Sequence, residues 1–123
     1  MTKAQRSADC ANSPKNAVAE DIAIHLLTRE SAALSKRLSD DATFEVFGKT
    51  RLQGHGDILK LIENGLVPTL TALHIDHALT HGKIGAVNGS FRTEDGSDRG
   101  FCVMLTFANT KAERVQQVKL YLP

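Results

Sequence analysis

A short run of groups able to do chemistry, His74-Ile75-Asp76-His77, lies just before a further histidine, His81. Imidazole changes charge near neutral pH, so it can take or give a proton under ordinary conditions. On an extended strand, alternation puts His74 and Asp76 on one face and His77 and His81 on the other. A divalent metal normally needs three or more converging protein ligands. Neither face supplies three, so no metal site is expected. His77 is the candidate acid or base, with Asp40 one candidate for the acid that would orient it. Asn88 and Arg92 are candidates to orient a substrate, with Ser90 beside them. A Ser-His-Asp arrangement through Ser90 can be written, but no Gly-x-Ser-x-Gly turn supports it. The plainer alternative is that His77 and Asn88 satisfy each other inside a packed core.

The background to these residues is an ordinary globular composition. The 123 residues include 41% hydrophobic and 24% charged side chains, which suits one domain with a core of its own. The net charge is +1, from 15 basic and 14 acidic residues. A nucleic-acid binder needs a basic stripe to collect phosphates. Lys36-Arg37 and Lys111 to Arg114 are too short and too close to acids to make one, so nucleic acid is not an expected partner. Cys10 and Cys102 are the only cysteines. A small secreted scaffold carries more, so both read as free thiols in a reducing compartment. No apolar run reaches the roughly 18 residues of a membrane span. Lys3 and Arg6 are not followed by the apolar stretch of a secretory signal. A cytoplasmic location and no cofactor are expected.

The elements that must position these groups can be read from local pattern. Residues 1–12 have no period and predict a flexible polar tail ahead of one domain, 13–123. Ser13-Pro14 reads as a helix cap followed by proline at the first helical position. Val18, Ala19, Ile22, Ala23, Leu26 and Leu27 then recur at helical spacing. Ser31 is expected to cap a second, shorter helix carrying Leu34 and Leu38, which Ser39-Asp40-Asp41 would stop. Ala42 to Phe47 alternates like a strand, and Thr50 to Gln53 is its expected return. Gly56-Asp57 starts a third helix that Gly65 ends. From Leu70 the pattern is strands alone, at 70–81, 84–93, 99–108 and 114–122. His81-Gly82 and Asp95-Gly96 are the expected hairpin turns. This order predicts an α+β fold with helices packed on one face of a mostly antiparallel sheet.

Particular residues carry a resemblance within that order. Leu38-Ser39-Asp40-Asp41-Ala42-Thr43-Phe44-Glu45 is similar to the "ADDATVE" segment of the nuclear transport factor 2-like superfamily. Gln53-Gly54-His55-Gly56-Asp57-Ile58 resembles the "G-x-x-x-I" start of that group's third helix. Phe107 through Val115 to Tyr121 resembles its final hairpin. The resemblance spans residues 14–123 and implies a strongly curved sheet forming a cone closed by helices, the cystatin-like fold shared by SnoaL-like proteins and ketosteroid isomerases. In the isomerases an Asp base follows the "DDATVE" segment, and a Tyr and a protonated Asp hold the oxyanion. The matching positions here are Val46, Ile22 and Val103. Valine and isoleucine neither move protons nor donate hydrogen bonds, so isomerase chemistry is not expected.

The same resemblance implies that Val46 and Val103 point into the cone. Alternation then adds Phe44, Phe101, Leu105, Phe107, Val118, Leu120 and Leu122. Two-residue turns would bring in Ala86, Asn88, Ser90 and Arg92, and likewise Leu73, Ile75, His77 and Leu79. The outward face would carry His74, Asp76, Val87, Phe91, Cys102, Met104, Gln117 and Tyr121. An apolar interior with a few polar groups describes a small-molecule site. The expected ligand is a small hydrophobic molecule held by Phe44, Val46, Asn88, Ser90, Arg92, Phe101, Val103, Leu105 and Leu120. Acid-base chemistry of lyase, isomerase or hydrolase type through His77 and Asp40 would accompany it. A homodimer through the outer sheet face is expected, since resembling proteins often dimerise there, and the alternative function is a non-catalytic homodimeric interaction module that works through that face or the rim.

Overall fold

Ser13 caps a helix as its place before Pro14 predicts. Its hydroxyl accepts a hydrogen bond from the Asn16 amide at 3.3 Å, and α1 runs Pro14–Leu27. The computed structural model describes residues 3–8 and 13–123. α1 buries Ala19, Ile22, Ala23, Leu26 and Leu27, the stripe its period predicts, and also Glu20.

α2 (Ser31–Ser35) is a single short turn with Leu34 buried. Leu38 does not continue it. The Val115 amide donates to the Arg37 carbonyl, and Leu38 opens β2 (Leu38–Val46) in parallel register with Val115. A distant strand claims this segment, so tertiary pairing overrides the helical spacing of Leu34 and Leu38. Ser39-Asp40-Asp41 therefore lie within β2, where the register with its partner shifts between Leu38 and Thr43. β3 (Thr50–Gln53) returns antiparallel to β2. α3 (His55–Asn64) buries Ile58 and Ile62 and ends at Gly65, whose φ of 94° only glycine adopts freely.

β4 (Leu70–His81), β5 (Ile84–Thr93), β6 (Asp98–Phe107) and β7 (Val115–Tyr121) fall within one residue of the expected strands. A further strand that the sequence pattern does not signal, β1 (Lys3–Gln5), pairs in parallel with β4. Residues 1, 2 and 9–12, Cys10 among them, lie outside the described residues. The seven strands form one mixed, curved sheet in the order β1-β4-β5-β6-β7-β2-β3. α1 packs on β4 and β5, α3 on β2 and β3, and α2 bridges the two helices. The core lies between helices and sheet. This is the expected α+β architecture.

Two local details reverse half of the expected faces. The Asp95-Gly96 turn is not a two-residue loop. The Thr93 amide donates to the Ser97 carbonyl at 3.0 Å, leaving the three-residue loop Glu94–Gly96 with Gly96 at φ 86°. That is the hairpin with one residue in the left-handed region. An odd loop pairs residues of like parity, so Val87 faces Val103 and Gly89 faces Phe101. Val87 and Phe91, expected outside, are therefore buried, while Asn88, Ser90 and Arg92, expected inside, are exposed. The second detail is a bulge at Asp76. Ile75 pairs with Gly89, but His77 pairs with Asn88. One extra residue swaps the faces: Leu73, Ile75 and Ala78 are buried, and His77 and Leu79 are exposed.

Candidate functional site

The interior is built by alternation along β2, β5, β6 and β7. Phe44, Val46, Phe101, Val103, Leu105 and Leu120, the apolar half of the expected ligand site, all lie in it and are buried. A void large enough for water would leave accessible surface on its walls. Phe44, Val103, Val118 and Leu120 have none, so the cone is filled by its own side chains at these positions. Ile22, Val46 and Val103, the positions matched to isomerase catalytic groups, are buried and apolar.

The polar half of the expected site lies elsewhere. His77 and Asn88 are brought together as direct partners across β4 and β5, but on the exposed outer face. Ser90 and Arg92 share that face. Arg92 binds Asp98 through two hydrogen bonds, Nε to Oδ1 at 2.9 Å and Nη2 to Oδ2 at 3.0 Å. This contact holds the Asp98 carboxyl below the usual carboxylate range. Asp40 is exposed on β2, four strand steps from β4 in the sheet order. At about 4.8 Å per step that is roughly 19 Å along the sheet, so Asp40 and His77 are not neighbours there. His74 lies between Gln5 Oε1 and Asp76 Oδ1, 3.2 Å from each. No group of three or more metal-ligating side chains converges among the described residues.

What the outer face does assemble is a band of apolar side chains set among polar ones. Leu79, Ala86, Met104 and Lys119 form one row across β4 to β7, flanked by the rows His81-Ile84-Thr106-Gln117 and His77-Asn88-Cys102-Tyr121. Leu79 is 56% exposed, Ile84 45% and Phe47 63%. The Phe47 ring stacks on Tyr121 with centroids 5.4 Å apart. A shallow groove of about 220 Å³ runs over Met104 between Ile84 and Tyr121. Met104, Cys102, Gln117 and Tyr121 were legible as outward from alternation. Leu79 was not, because the bulge at Asp76 leaves no mark in the apolar pattern.

Glu20 is the charged residue that sequence reasoning missed. It is fully buried on α1. Arg6 reaches it with Nε 2.5 Å from Oε1 and reaches Asp21 with Nη2 at 2.6 Å. The Ser7 amide and hydroxyl donate to Glu20 Oε2 at 3.3 and 3.1 Å. Buried charges are paired, so an acid at a core-facing helical position was the available signal. Its partner comes from the segment that shows no pattern.

No family model matches the sequence, and no curated protein matches it. Solved structures do. A nuclear transport factor 2-like protein of unknown function from Cytophaga hutchinsonii superposes with a TM-score of 0.67 at 15% identity, over 89% of this chain and 99% of that one. The chain has the nuclear transport factor 2-like fold. Other solved structures match it as well. A Kribbella flavida protein provisionally assigned as a ketosteroid isomerase gives a TM-score of 0.70 at 21% identity, over 89% of this chain and 77% of that one. A Shewanella denitrificans protein provisionally assigned as a SnoaL-like polyketide cyclase gives 0.70 at 15%, over 91% and 92%. Such identities speak for the nuclear transport factor 2-like fold alone, and one fold hosts many activities. No helix among the described residues is long and apolar enough to cross a membrane.

Proposed function

We propose that this domain is a non-catalytic, homodimeric interaction module that works through the outer face of its sheet. The observation that carries this reading is the reversal of faces. The interior, where a small hydrophobic ligand would sit, is occupied by Phe44, Val103, Val118 and Leu120. Leu79, Ile84, Met104 and Tyr121 lie outside instead, on one continuous surface. A contiguous exposed apolar patch rimmed by polar residues marks an interaction site.

A second copy is the occupant that fits. A two-fold interface must complement itself, and this face carries both signs of charge: Lys119 and Arg51 lie in one row with Glu45, and Arg92 with Asp98. Four strands about 4.8 Å apart and about ten residues long give a face of roughly 600 Å², close to the roughly 800 Å² that each partner contributes to a standard interface.

Light scattering at micromolar concentration tests the proposal. The wild-type chain should weigh twice its 13.3 kDa. The double variant Leu79→Arg, Ile84→Arg should weigh 13.3 kDa with its far-UV circular dichroism unchanged. A wild-type monomer would end this reading.

A further inference from the structure

We propose that the outer face of β7, β2 and β3 carries a polar trough that binds a small polyhydroxylated carboxylate, a molecule of the sugar-acid class. The trough lies beside the apolar band, at the end of the sheet whose last strand is β3, and does not depend on self-association.

Strand pairing builds the trough from two rows of three side chains. Lys119, Glu45 and Arg51 stand side by side across β7, β2 and β3, and Gln117, Thr43 and Gln53 form the next row. Successive side chains of a strand point to opposite faces, so Phe44 and Val118, between the rows, point into the core and are fully buried. With Leu52 they give the trough its floor, and every outward side chain on it is polar. Its volume is about 440 Å³, within the range of small-molecule sites. Strands about 4.8 Å apart, with same-face residues about 7 Å apart along each, give it a footprint of roughly 10 by 7 Å.

The unused hydrogen-bonding capacity selects the ligand. Lys119 is a register neighbour of Glu45, yet Arg51 is the cation that contacts that carboxylate, with Nη2 3.4 Å from Oε2. The Lys119 ammonium forms no ion pair among the described residues. Gln117 Oε1 accepts from the Thr106 hydroxyl at 3.5 Å, which leaves the NH2 group as its unused donor. One corner of the trough thus offers a cation and an amide donor, the pairing a carboxylate takes. Elsewhere Glu45 Oε1 and the Gln53 amide have no partner among the described residues, and Arg51 is 80% exposed with one contact. These are donors and acceptors side by side, and a hydroxyl group satisfies both at once. Two cations against one acid leave an excess positive charge that a single carboxylate balances.

An NMR titration of the full chain at constant ionic strength tests this with three probes: gluconate, sorbitol and acetate. Gluconate should shift the backbone amides of Thr43, Glu45, Gln117 and Lys119 with a millimolar midpoint and leave those of Ile22 and Leu26 in place. Sorbitol has the hydroxyls without the charge, and acetate the charge without the hydroxyls. Each should bind about tenfold more weakly or worse. Lys119→Met keeps an apolar stem and removes the ammonium, and should weaken gluconate binding about tenfold or more. If Lys119→Met fails to fold, Arg51→Gln, at an exposed position, should weaken it in the same direction. Acetate binding as tightly as gluconate would mean an adventitious ion only and overturn the proposal. Sorbitol binding as tightly, gluconate shifts that miss the trough, or unchanged affinity in the folded variant would overturn it too.

Discussion

At the scale of single residues, the β5–β6 turn shows how a local contact sets a titration. The Thr93 hydroxyl donates to Asp95 Oδ1, and the Ser97 amide donates to the same oxygen at 2.9 Å. Both contacts favour the charged carboxylate, which is held at about 2 against an ordinary 3.8. Folding thus lowers this pKa. The stabilisation is present above pH 3.8 and is lost as pH falls from there towards 2. A carboxyl carbon titration by NMR should place the Asp95 midpoint near 2. Thr93→Val removes the larger contact and should move it up towards 3.8. A wild-type midpoint already at 3.8 would refute the assignment. Ser13 and Asp95 were legible in the sequence as cap and turn because their hydrogen bonds span only a few residues. The Arg6–Glu20 pair was not, since it joins positions 14 residues apart across a break in pattern.

At the scale of elements, the bulge at Asp76 decides which side of the sheet His77 and Leu79 occupy, and Gly89 makes room for it. A Cβ on Gly89 would stand 2.0 Å from the His74 carbonyl oxygen and 3.0 Å from Ile75 Cα. These are backbone atoms and cannot rotate away. Gly89→Ala should cost about 3 kcal/mol, the upper end of overpacking penalties. Gly56, in α3, has nothing within 4 Å of such a Cβ. Gly56→Ala should stabilise the protein by roughly 0.5 kcal/mol, since alanine is the better helix former. Urea unfolding of the two variants measures both, and equal effects would contradict the close approach at Gly89. Element positions were readable because caps, glycines and alternation are written locally. Faces were not, because strand parity depends on counting every residue through each turn and bulge. One extra loop residue at Glu94–Gly96 moved Asn88, Ser90 and Arg92 from the expected site to the opposite side.

At the scale of the molecule, the fold was legible and the filling of its cone was not. A stripe of Phe44, Val46, Phe101, Val103 and Leu105 looks the same in sequence whether it lines a cavity or closes one. Substitution can tell them apart. Val103→Leu adds a methylene that an open pocket would accept without cost. In the packed interior around Val103 it should cost about 1–3 kcal/mol in urea unfolding, and a neutral result would reopen the case for a ligand site. The pairing of β2 with β7 bears on a different question, the order of events during synthesis. Leu38–Val46 finds one of its two neighbours only in Val115–Tyr121, some seventy residues later. A ribosome adding about 5–20 residues per second needs roughly 4–14 s to deliver them. Through that interval one edge of β2 lacks its final neighbour, so the sheet cannot close before its last strand has been made, and the nascent chain must keep Phe44 and Val46 from other partners while it waits.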